Sequence, residues 1–167
     1  MMPPAAVTPS ATRRAQAGKY LTFFLANEEY GLEILKVHEI IGMLPITRVP
    51  RTPLFVRGLI NLRGKVIPII DLRQRFGMSR EGAEDSCVIV VQVHGTQLGV
   101  VVDKVSEVLS IAEADIEPTP SFGVDVSTEY LLGLAKSDGK VRLLLDIDRV
   151  LTASEFDSVQ AVAGVEG

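Results

Sequence analysis

Between residues 20 and 146 the chain alternates short Val/Ile/Leu-rich runs with polar turns, a period-2 pattern that predicts strands and not amphipathic helices. The runs predict strands over 20–26, 30–34, 46–49, 57–62, 65–71, 87–94, 97–102, 107–111, 131–136 and 140–146. Asn27-Glu28-Glu29 and Gly95-Thr96 supply the polar and glycine residues that close hairpins. Apolar residues at 37, 40 and 41 predict a short helical turn over 35–41, and 147–151 predicts the start of a C-terminal helix. Strands joined by tight hairpins, with no long crossover helices, favour antiparallel barrels over a βαβ sheet. Pro68 inside the fifth predicted strand requires an edge or a bulge, because it brings no amide to the ladder.

The pattern occurs twice. Gly31, Lys36, Val37 and Glu39 recur as Gly99, Lys104, Val105 and Glu107 at an offset of 68. Gly58-Leu59, Gly64-Lys65-Val66 and Asp71 recur as Gly133-Leu134, Gly139-Lys140-Val141 and Asp146 at an offset of 75, so the second copy carries seven extra residues between 118 and 133. A duplicated unit of this size buries little surface alone, and the two copies are expected to pack together with a groove between them. The predicted organisation is an N-terminal tail over 1–18, one domain over 19–156 built of intertwined barrel subdomains at about 19–80 and 85–156, and a mobile tail over 157–167. The copies differ at one turn. The second uses polar Lys136-Ser137-Asp138-Gly139, whereas the first uses Asn61-Leu62-Arg63-Gly64, placing a leucine and an arginine where folding alone selects neither.

Composition narrows the function. Hydrophobic residues make up 47% of the 167, enough for a core, but aromatics only 5% with no Trp, so that core is aliphatic. The net charge of −4 and the lack of a basic stripe argue against a phosphate-backbone binder. One cysteine, Cys87, excludes an internal disulfide framework and points to a reducing cytoplasm. Apolar runs fall well short of the ~20 residues that cross a bilayer.

No catalytic constellation emerges. Asp71 and Asp146 stand at equivalent positions before short helices, where N-capping is their expected role. His38 and His94 have no further ligands at metal spacing, Cys87 reads as a small hydrophobe in a strand, and no glycine-rich loop opens a helix to hold a phosphate. The expected catalytic residues, metal ligands and cofactors are therefore none. What remains is recognition: an arginine fork beside an apolar side chain combines directional hydrogen bonding with contact area, as at interface centres.

Three segments carry a resemblance. Glu29-Tyr30-Gly31-Leu32-Glu33-Ile34-Leu35-Lys36-Val37-His38-Glu39-Ile40 is the first, and Asn61-Leu62-Arg63-Gly64 with the following Val66-x-Pro68-Ile69-x-Asp71-Leu72-Arg73 is the second. The third is Ser127-Thr128-Glu129-Tyr130-Leu131-x-Gly133-Leu134. From about 20 to 156 the chain resembles the CheW coupling proteins of bacterial chemotaxis. The resemblance implies an all-β fold of two tandem SH3-like five-stranded antiparallel barrels and a non-enzymatic adaptor. It would tie the cytoplasmic hairpin tips of chemoreceptors (methyl-accepting chemotaxis proteins) to the regulatory domain of the histidine kinase CheA. The resemblance also implies other copies of the family as ring partners and a cytoplasmic adaptor recruited to the inner face of the membrane through receptor arrays. The resemblance further implies a receptor-binding set of Val37, Glu39, Gly58, Asn61, Arg63 and Val108, and a kinase or ring contact at Phe122. The alternatives are an adaptor of a twitching or surface-sensing pathway, or a ligand- or nucleic-acid-binding tandem barrel. Scarce aromatics and acidic charge count against the last.

Overall fold

The computed structural model describes residues 16–79, 87–118 and 130–164, the last three of these by backbone alone. In chain order the elements are β1 (Gly18–Leu25), β2 (Glu28–Glu33), β3 (Val37–Gly42), β4 (Val56–Leu62), β5 (Lys65–Asp71), α1 (Leu72–Arg75), β6 (Cys87–Val93), β7 (Thr96–Val102), β8 (Lys104–Ile111), β9 (Ile116–Glu117), β10 (Leu131–Ser137), β11 (Lys140–Leu145) and α2 (Ala153–Gly164). They form the tandem barrels from a sheet ordered β8-β1-β2-β11-β10-β9 and a sheet ordered β3-β6-β7-β5-β4.

This order does not follow the 19–80 and 85–156 halves. Each barrel takes its first hairpin from the other copy: β1 and β2 sit with β8 to β11, while β6 and β7 sit with β3 to β5. The seams are the parallel pairs β2 with β11 and β5 with β7, so the barrels are not purely antiparallel, and β9 extends one of them to six strands. The repeated glycines lie on these seams, Gly31 opposite Leu144 and Gly99 opposite Ile69. A methyl on Gly99 would stand 2.7 Å from both Ile69 Cδ1 and Val88 Cγ1, and one on Gly31 would stand 3.1 Å from Leu144 Cδ2. Pro68 falls one residue before β7 joins β5, where β5 is paired only with β4.

Other repeated features coincide as closely. Left-handed residue pairs turn the four two-residue hairpins among the described residues: Ala26-Asn27 (φ 48° and 75°), His94-Gly95 (49° and 80°), Arg63-Gly64 (54° and 86°) and Asp138-Gly139 (53° and 74°). Positive φ at both positions matches the right-handed twist of the flanking strands. Register shifts recur between Val56 and Gly58 and between Leu131 and Gly133. Asp71 Oδ1 accepts the Gln74 amide at 3.3 Å and Asp146 Oδ1 the Asp148 amide at 3.2 Å, so both aspartates cap as expected.

Each barrel has its own small core, with Ile60, Ile67, Ile69 and Val90 in one and Tyr20, Leu132 and Leu144 in the other. The largest cluster, including Phe23, Leu32, Ile70, Ile89, Val91 and Leu145, draws on strands of both barrels, which makes them mutually dependent. Phe23, Tyr30, Phe76 and Tyr130 form a stacked row with successive centroids 5.8, 6.0 and 5.4 Å apart. Burial, aided by Glu28, pushes the Tyr30 hydroxyl up from 10.0 to about 12. Because its folded-state pKa is raised, the neutral phenol contributes stability that is complete below the unfolded value and is lost as pH climbs from 10.0 to about 12. Alkaline denaturation followed by circular dichroism should therefore be shallower across that interval in Tyr30→Phe.

Three local expectations are corrected. The segment 35–41 is not helical: a 3₁₀ turn over Ile34–Lys36 leads into β3. The run 46–49 forms only a single bridge, from Thr47 to Leu59. Nor is 157–164 a mobile tail, since α2 covers it and buries Val159 to 1% exposure. Thr152 and Glu155 close a reciprocal capping box at 3.1 and 2.8 Å, and Arg75 Nη2 holds Glu155 at 3.0 Å.

Candidate functional site

β3 and β4 lie at opposite edges of the same sheet, yet Arg63 Nη2 donates to Glu39 Oε2. Curling of the sheet into a barrel brings these edges together. Glu39 leaves β3 just after a register shift from Val37, and Arg63 occupies the first position of the two-residue loop between β4 and β5. The Arg63 side chain is 66% exposed and that of Glu39 25%. His38 Nε2 stands 3.8 Å from the same carboxylate oxygen. Asn61 Oδ1 accepts the Gly64 amide at 2.8 Å, spanning the turn that carries Arg63.

Energetics separate this arrangement from scaffold. An exposed ion pair returns at most about 1 kcal/mol. Arg63 sits at φ 54°, a region that aspartate at the matching Asp138 occupies readily and arginine does not. Holding a non-glycine residue there costs on the order of 1 kcal/mol or more. The pair therefore yields no net stability, and folding supplies no reason for an arginine at this turn.

The remaining candidates are distributed differently. Leu62, expected beside Arg63 as exposed apolar surface, is 9% exposed and packs in the barrel core. Val37 is half-buried against the cluster shared by the barrels. Val108 lies on β8, at the edge of the other sheet, and is 50% exposed; its repeat counterpart on β3 is Ile40 at 45%, a surface residue not singled out from the sequence. The repeat offset of 68 was the signal that could have found it. Gly58 is buried beneath the backbone of Thr47, with no route for direct contact through a side chain. Phe122 lies outside the described residues.

The described residues include no cluster of three or more metal-binding side chains and no helix long and apolar enough to cross a membrane. Burial pushes the Cys87 thiol up, away from the thiolate a nucleophile requires. A cleft of about 430 Å³ between Tyr130, His94 and the start of α2 contains none of the predicted site residues.

Comparison with known proteins places these features in context. The family model described as a CheW-like domain matches residues 19–155. Chemotaxis protein CheW of Klebsiella aerogenes is 43% identical over 146 residues, covering 87% of this chain and 88% of the relative. Chemotaxis protein CheW of Rhizobium meliloti is 34% identical over 154 residues, covering 91% and 99%. The crystal structure of the scaffolding protein TtCheW from Thermoanaerobacter tengcongensis superposes with a TM-score of 0.77 at 40% identity, covering 84% of this chain and 96% of that one.

Proposed function

The chain belongs to the CheW family, and from that membership we propose that it is a non-enzymatic adaptor that couples chemoreceptor cytoplasmic tips to the histidine kinase CheA. The observation that carries the receptor assignment is Arg63, held left-handed and exposed beside Glu39 in the first copy alone. An arginine fork there offers donors to a helical-hairpin tip, and Val37 and Val108 add apolar contact on either barrel. Gly58 belongs to this reading as support for the surface and not as a contact. Phe122, in the segment added to the second copy, is assigned to the kinase or ring contact. Recruitment to the inner face of the membrane follows from receptor binding.

Titration with a receptor cytoplasmic fragment tests the receptor half. Arg63→Ala should weaken binding by about 30-fold, or roughly 2 kcal/mol, while shifting stability by no more than about 0.5 kcal/mol. Asp138→Ala, at the matching turn of the second copy, should leave receptor affinity unchanged. Equal effects at the two turns, or none at Arg63, would refute the assignment. Kinase autophosphorylation in co-sedimented receptor, kinase and adaptor, compared with the same mixture lacking the adaptor, tests the coupling itself.

A further inference from the structure

We infer that Asn61 is a positioning residue for Arg63: its side-chain oxygen braces the 61–64 turn so that the guanidinium is presented to the receptor, and Asn61 itself does not touch that partner. This rests on the receptor reading of Arg63 given above.

The two-residue loop closes on the pair Leu62 and Lys65, leaving the Gly64 amide outside the ladder. Asn61 Oδ1 takes that amide at 2.8 Å. The repeat provides an internal control. The second copy makes the same turn, with φ 53° and 74° at Asp138-Gly139 against 54° and 86° at Arg63-Gly64. There the position of Asn61 is held by Lys136, whose Nζ reaches Glu117 at 3.1 Å instead of the turn. Aspartate adopts the left-handed conformation readily and needs no brace, whereas arginine does not. The side-chain bond thus occurs in the copy whose turn residue is otherwise least suited to its conformation. Its acceptor oxygen is committed to the turn, and what it fixes is the backbone from which Arg63 reaches Glu39.

A double-mutant cycle on the full chain, read by titration with a receptor cytoplasmic fragment and by amide hydrogen exchange at Gly64, tests this. Asn61→Ala should weaken receptor binding about fivefold, the worth of one ordinary hydrogen bond, and accelerate Gly64 exchange. Asn61→Asp, which keeps the acceptor, should restore both. Added to Arg63→Ala, Asn61→Ala should produce no further loss, because its effect runs through the arginine. Additive losses would mean that Asn61 contacts the receptor directly and would overturn the inference, as would unchanged Gly64 exchange in Asn61→Ala. Should Arg63→Ala bind like the wild type, the receptor reading fails instead, and Gly64 exchange still decides whether Asn61 braces the turn.

Discussion

Asp103→Ala should lower the free energy of unfolding by about 3 kcal/mol, more than any surface substitution in the protein. Asp103 lies between β7 and β8, where the chain leaves one barrel for the other. Its carboxylate accepts Arg73 Nε at 2.8 Å and Arg73 Nη2 at 2.5 Å, and also the Ala26 amide at 2.8 Å in the β1–β2 turn. One side chain therefore ties α1 of one barrel to the leading hairpin of the other. Removing it takes from the Arg73 guanidinium, whose pKa is raised chiefly by its hydrogen bond to Asp103, its two-pronged carboxylate partner, leaving the Ser79 carbonyl at 2.6 Å and the charge of Asp71. A buried cation stripped of its bidentate partner and an orphaned amide both carry desolvation costs. The repeat counterpart at this junction is lighter. Asp148 replaces Arg73, Leu35 replaces Asp103, and a single ion pair from Lys36 Nζ to Asp148 at 2.8 Å spans the gap. Lys36→Ala should accordingly cost no more than about 1 kcal/mol in the same chemical denaturation experiment. A loss of no more than about 1 kcal/mol in Asp103→Ala as well would show that barrel apposition depends on apolar packing and not on this carboxylate.

Alternation of apolar and polar residues made most strands legible, and the two offsets exposed the duplication. They could not show that the copies exchange hairpins. Hairpin geometry is local, written in Asn27 and Gly95, whereas the choice of the next strand is made by contacts distant in sequence. The seams leave one trace, Gly31 and Gly99, which reads as repetition until Leu144 and Ile69 are placed against them. The 35–41 segment was misread because Val37, Ile40 and Ile41 fit a helical period. In β3 the alternation of an extended strand turns Ile40 outward and Ile41 toward the core, and a three-residue apolar pattern that also fits a helical period does not decide between the two. In α2 the Ala, Ser and Gly content concealed a helix whose capping box, Thr152 to Glu155, was readable. At the candidate site, Arg63 was conspicuous as an unusual turn residue. Its neighbour Leu62 was not separable from it, because alternation at the end of a strand does not say which residue is last inside the barrel.

Gly58→Ala should be the second severe substitution, and it decides whether Gly58 supports the proposed receptor surface or forms part of it. Gly58 has φ 140° at the register shift of β4, and a Cβ there would stand 2.1 Å from the Thr47 carbonyl oxygen and 2.8 Å from Ile46 Cγ2. The obstructing atom is backbone, so no rotamer relieves the clash. Thr47 is itself fixed by reciprocal 2.8 Å bonds to the amide and carbonyl of Leu59. Either those bonds break or β4 shifts, with a combined steric and conformational cost of about 3 kcal/mol. For a domain of this size that lowers the melting temperature by roughly 6–12 °C. β4 leads directly to Asn61 and Arg63, so a shift of β4 would also displace the guanidinium. Receptor binding should therefore fall together with the melting temperature, and Arg63→Ala added to Gly58→Ala should cost less than its own 30-fold. A Gly58→Ala variant that melts like the wild type but binds receptor weakly would instead make Gly58 a direct contact.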